Sequence, residues 1–143
     1  MQKTLLIIAL LFSAAIIAQN SKTPVSKAPT TQALPLINYV TLRDSCTQLD
    51  IVFITGKGGS MSLEGRNVKF FTSFVRPIAV DKKPNALLDG TLMWQINGKA
   101  YQMANLYFTG DSSGYVTFDR NNKEYVNGLT PDGAAFLKNR GGR

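Results

Sequence analysis

The chain has 143 residues, with 16 Lys and Arg against 9 Asp and Glu, a single Cys and no His. Without histidine it lacks the usual general base, the Ser-His-Asp and Cys-His arrangements, and the commonest protein ligand of zinc and copper. With Cys46 as the only thiol, no intrachain disulfide framework exists and cohesion must come from apolar packing.

Lys3 precedes an uncharged stretch from Leu5 to Ala18 that ends in small residues, which is the pattern of an export signal. That apolar run is about fourteen residues, short of the roughly twenty that span a bilayer core, so the expectation is a signal peptide over 1–18 and no transmembrane span after cleavage. The expected workplace is the periplasm, the cell surface or the medium. Removing Lys3 with the signal leaves a basic excess of six. Residues 19–35, rich in Ser, Thr, Lys and Pro, with Pro24, Pro29 and Pro35 interrupting any ladder or helix, read as a disordered linker. Residues 36–143 then form one domain of ordinary size.

From Leu36 the text breaks into short runs of Val, Ile, Phe, Tyr and Thr separated by Gly, Asn, Asp and Pro. Leu36 to Leu42 is the first expected strand. Leu49, Ile51 and Phe53 alternate along a second strand, which reverses at Thr55–Gly59 into a partner at Ser60–Leu63. Val68 to Val75, apolar on both faces, reads as a central strand ended by Pro77. Asp81 to Asp89 reads as a loop.

Asn97-Gly98 predicts a two-residue hairpin turn, pairing Ile96 with Lys99, Trp94 with Tyr101 and Leu92 with Met103. Leu92, Trp94, Tyr101 and Met103 are then expected to face the core, with Gln95, Ala100, Gln102 and Ala104 on the outer face. Thr109–Gly114 and Asp119–Lys123 read as turns around a strand at Tyr115–Phe118, and Glu124–Val126 as a last strand. Thr130-Pro131-Asp132 has the form of a helix start, with Ala135, Phe136 and Leu137 packing on the sheet. The fold class is mainly β, a small antiparallel β-sandwich or barrel-like domain of about six to eight strands with one short C-terminal helix.

Candidate chemistry is sparse. No catalytic residue, cofactor site or metal site is read from the chain. Asp119–Lys123 begins like a calcium loop, but Lys123 falls at a ligand position. Asp50, Glu64, Asp81 and Asp89 are the carboxylates a two-acid hydrolase would draw on, and such an enzyme needs one of them strongly raised in pKa. Lys57, in a glycine-rich loop with anion-binding character, the adjacent pair Lys82 and Lys83, and Tyr107, an amphipathic ring suited to a sugar face, are the candidate binding residues. The cations are scattered and form no nucleic-acid stripe. The expected function is that of an exported, non-catalytic cell-envelope module that binds a protein partner or an anionic polysaccharide or surface. The alternatives are a small secreted glycoside hydrolase and a secreted enzyme inhibitor.

Overall fold

The alternation of Leu49, Ile51 and Phe53 appears directly as strand β1 (Gln48–Phe53), where all three are buried. The computed structural model describes residues 29–141, so the expected export signal and the expected linker up to residue 28 lie outside the described residues. The remaining elements are α1 (Leu36–Asp44), β2 (Gly59–Glu64), α2 (Arg66–Thr72), β3 (Val75–Ala79), β4 (Gly90–Ile96), β5 (Lys99–Gly110), β6 (Ser113–Arg120), β7 (Lys123–Leu129) and α3 (Pro131–Gly141). The seven strands form one antiparallel sheet in the order β2-β1-β4-β5-β6-β7-β3, open at both edges. The protein is thus mainly β, with a short C-terminal helix. The layer packed on the sheet is made of helices: Tyr39 and Leu42 of α1, Val68 and Phe71 of α2, and Ala134 and Leu137 of α3 share one core with the sheet. Trp94, Phe71 and Phe118 lie fully inside it. Burying a side chain of Phe size contributes about 1.5–3 kcal/mol.

Two expected strands are helical. Leu36–Leu42 belongs to α1, where the Pro35 carbonyl accepts the amides of Asn38 at 2.9 Å and Tyr39 at 3.1 Å. Tyr39 and Leu42, three residues apart, are buried, while Leu36 and Ile37 stay exposed. Their apolar spacing fits a helix as well as a strand, and packing on the sheet selects the helix. Val68–Val75 divides between α2 and β3, and its buried residues, Val68, Phe71, Thr72 and Val75, follow the helical interval. Pro77 does not end the strand but lies inside β3, which is an edge strand rather than a central one. An edge tolerates a residue with no N–H to donate.

The Asn97-Gly98 turn forms as expected, with φ of 50° and 75°, and Ile96 pairs with Lys99. A bulge between Trp94 and Gln95 then shifts the register, so Trp94 pairs with Gln102, Leu92 with Ala104 and Met93 with Met103. The extra residue reverses the parity of β5. Leu92 and Trp94 face the core as expected, but Ala104 and Leu106 join them there, and Met103 is 59% exposed on the outer face. Trp94 Nε1 donates to Thr72 Oγ1 at 3.0 Å, joining sheet and α2.

The cap of α3 forms where Thr130 predicts it: the Gly133 amide donates to Thr130 Oγ1 at 3.1 Å. Its buried residues are Gly133, Ala134, Leu137 and Gly141, with Phe136 half-buried against the core and Ala135 not among them.

Two segments lie against the sheet. Between β3 at one edge and β4 near the middle, residues 80–89 strap across the outer face. Lys82 Nζ meets Glu124 at 2.9 Å, Lys83 Nζ donates to the Thr109 carbonyl at 2.9 Å, and the Asp89 amide donates to the Leu106 carbonyl at 2.9 Å. At the other end of the domain's chain, Thr30 to Leu34 runs beside β7 and the end of β3. The Gln32 carbonyl accepts the Val126 amide at 2.7 Å, the Leu34 amide donates to Asn127 Oδ1 at 2.8 Å, and the Leu34 side chain is buried.

Candidate functional site

The outer face of the sheet has one place where the strap, the edge strand β3 and the β5–β6 turn leave a groove, with a volume of about 380 Å³. Arg76 reaches it from β3, Asp81 and Lys83 from the strap, Ser112 and Ser113 from the turn, and Tyr115 from β6. Arg76 is held by its own backbone, whose carbonyl accepts Asn127 Nδ2 at 2.8 Å. Its side chain lies over Gly128 of β7, where a Cβ would come within 2.6 Å of Arg76 Nη2 and 2.9 Å of Val80 Cγ1. Glycine at 128 therefore supplies room for a guanidinium, not a special backbone angle. Arg76 Nε is buried and, among the described residues, has no hydrogen-bond partner.

The groove's other donors are partly committed. Lys83 keeps two of its three ammonium protons beyond the bond to Thr109. Thr109 Oγ1 donates to Ser113 Oγ at 3.0 Å, which leaves the Ser113 proton free to be given away. Asp81 is the one carboxylate here, and its Oδ1 accepts from Thr30 N at 2.8 Å and Thr30 Oγ1 at 3.1 Å. Tyr107 stacks on Tyr115, with centroids 4.9 Å apart. Burial pushes the Tyr115 hydroxyl above its ordinary pKa, against a smaller lowering from the Lys83 backbone. The hydrogen bond to Glu124 holds Lys82 above its ordinary value.

Of the candidate binding residues, Lys82, Lys83 and Tyr107 are brought to this side of the sheet, linked through Glu124, Thr109 and Tyr115. Lys57 is not. Its amide donates to the Gly141 carbonyl at 3.1 Å, at the far end of α3 from Pro131, which borders the groove. A helix of that span is roughly 15 Å long. Arg76 was not singled out from the sequence, and Ser112 and Ser113 were read there as part of the Thr109–Gly114 turn. The available signal was an arginine in an otherwise apolar run directly before Pro77.

The carboxylates are used structurally. Asp50 accepts from Gln48 Nε2 at 2.9 Å, from Ser62 Oγ at 2.6 Å and from Gln95 Nε2, and these bonds, Gln48 first, hold its pKa below the usual range. Asp89 is buried, accepting from Thr55 Oγ1 at 2.7 Å and the Phe108 amide at 2.6 Å, and so fastens the end of the strap. The carboxylate shifts that are resolved, at Asp44, Asp50 and Asp111, all run downward. A general acid needs the opposite.

Trp94 is fully buried, and Arg120 covers the Tyr101 ring at 5.2 Å, so neither offers a bare ring face to a sugar. Among the described residues no three His, Cys, Asp or Glu side chains converge as metal ligands, and no helix is long and apolar enough to cross a membrane. No family model, curated protein or solved structure matches the chain.

Proposed function

We propose that the protein is an exported, non-catalytic module of the cell envelope that binds an anionic envelope polymer. One observation carries this reading: among the described residues six of the nine acids are spent on the fold, and eight of the twelve cations are not paired with a carboxylate. Asp44, Asp111 and Glu124 are consumed in ion pairs, and Asp50, Asp81 and Asp89 hold hydrogen bonds within the domain. Lys57, Arg66, Arg76, Lys83, Lys99, Arg120, Lys123 and Arg140 have no carboxylate partner among the described residues. A surface of this kind attracts polyanions, and the attraction weakens as salt screens it. Export rests on the sequence of Leu5–Ala18. The locked state of Asp50 and Asp89 favours binding over two-carboxylate hydrolysis.

The test is retention of the chain lacking residues 1–18 on immobilised anionic and neutral envelope polysaccharides. Raising salt from about 0.05 to 0.3 M is expected to weaken binding to the anionic polymer at least roughly tenfold, with no binding to the neutral one. Salt-independent retention, equal affinity for the neutral polymer, or release of shortened glycan would each overturn the reading.

A further inference from the structure

We propose that the groove between β3, the strap and the β5–β6 turn is a binding site for a phosphate ester, with Arg76 as its anchor. The proposal deepens the polyanion reading by assigning it a site and a chemical group. Three independent features converge on it. The Arg76 guanidinium is seated on the bare backbone of Gly128, in space that a single methyl would fill. Its Nε is buried and unsatisfied among the described residues. The remaining lining, Lys83 with Ser112 and Ser113, adds a second cation and two hydroxyl donors from a different part of the chain.

A buried donor without an acceptor loses its hydration with nothing in return, and a ligand oxygen at that position would relieve the loss. Guanidinium matches the geometry of an oxyanion through paired N–H bonds, and lysine adds a point charge. The donors approach from three sides, from β3, from the strap and from the turn. A tetrahedral group can answer all three, whereas a flat carboxylate presents its oxygens in one plane. Asp81 is the opposing charge, and with Oδ1 turned to Thr30 it leaves the groove one unit positive. Its second oxygen suits a hydroxyl on the atoms flanking the phosphate, as in a glycerol or sugar ester. Phosphate esters of this kind occur in phosphodiester-linked envelope polymers and in phospholipid headgroups.

The probe is glycerol 1-phosphate, titrated into the chain lacking residues 1–18 while amide and arginine Nε–H resonances are followed by NMR. The expected result is saturable movement of the Arg76 Nε–H signal and of the Ser112, Ser113 and Gly114 amides. Affinity should fall about tenfold in Arg76→Gln and less in Arg76→Lys, which keeps the charge and loses the fork. Unchanged spectra in the parent, unchanged affinity in Arg76→Gln, or an equal response to acetate would overturn the site. If Arg76→Gln does not fold, a Ser112→Ala, Ser113→Ala double variant provides the second reading. A loss of about threefold supports the site, and no loss overturns it.

Poly(glycerol phosphate) and vesicles containing phosphatidylglycerol then separate the two sources. Binding to either one that Arg76→Gln weakens supports the site, and binding to neither overturns it. Retention on anionic polysaccharide without the glycerol phosphate response would remove the site and leave the general reading in place. The converse result would keep the site and remove the polysaccharide.

Discussion

Cys46 shows how far one residue's environment can be reasoned from its type. A lone thiol with no partner for a disulfide reads as a small buried hydrophobe, and it is buried, 7% exposed, with burial raising its pKa from 9.0 to about 11. Between those two values the unfolded chain loses a proton that the folded chain keeps, so this contribution to stability falls as pH rises through that window. A colourless thiol probe such as the Ellman disulfide is expected to leave the native protein unmodified at pH 8 and to react with one equivalent of thiol once urea unfolds it; prompt reaction of the native protein would contradict the burial. Asp50 was harder to place. Its position in the middle of an alternating strand gives its face, but its three donors come from β1, β2 and β4, and only the finished sheet brings those together.

Elements bounded by turn chemistry were legible. Asn97-Gly98 fixed a hairpin because both residues take positive φ, and Thr130-Pro131 fixed the start of α3 through a side-chain cap. Substituting Thr130→Ala is expected to cost about 1 kcal/mol, measured as a lower urea midpoint with an unchanged slope. No change in midpoint would mean that the cap contributes nothing in this fold. The elements misread were those whose apolar residues satisfy two periods at once. Val68, Phe71 and Val75 fit a helical stripe, while Val68, Phe70 and Phe74 fit a strand, and nothing local separates the two. What decides is contact with the rest of the core: Phe71 packs edge-on to Phe74 at 5.6 Å and near Phe136 at 6.3 Å. The bulge beside Trp94 was equally invisible, because turn residues set register only until an extra residue enters the ladder.

Across the whole molecule, composition anticipated a self-sufficient apolar core, and it said nothing of the groove. Ser113 is distant in sequence from Arg76 and Lys83, and the three meet only because β3 and β7 pair and the strap recrosses the sheet. The folded body also takes in residues ahead of α1, since Leu34 is 2% exposed and its amide is bound by Asn127. Leu34→Ala is therefore expected to destabilise the domain by about 2–3 kcal/mol in urea unfolding, at the lower end for a buried leucine because the site is peripheral. A change under about 0.5 kcal/mol, the scale of an ordinary surface substitution, would show that this segment is not part of the cooperative unit.

The two rims of the sheet are unequal, and that governs how copies of the chain can meet. At β2 the rim is a plain six-residue strand with no proline, while at β3 Pro77 removes a donor from the outermost ladder. Two molecules joined rim to rim through β2 would each have used the side best able to accept a new strand, leaving outward only the interrupted one. Lateral growth of that kind ends at a pair instead of propagating into a fibre.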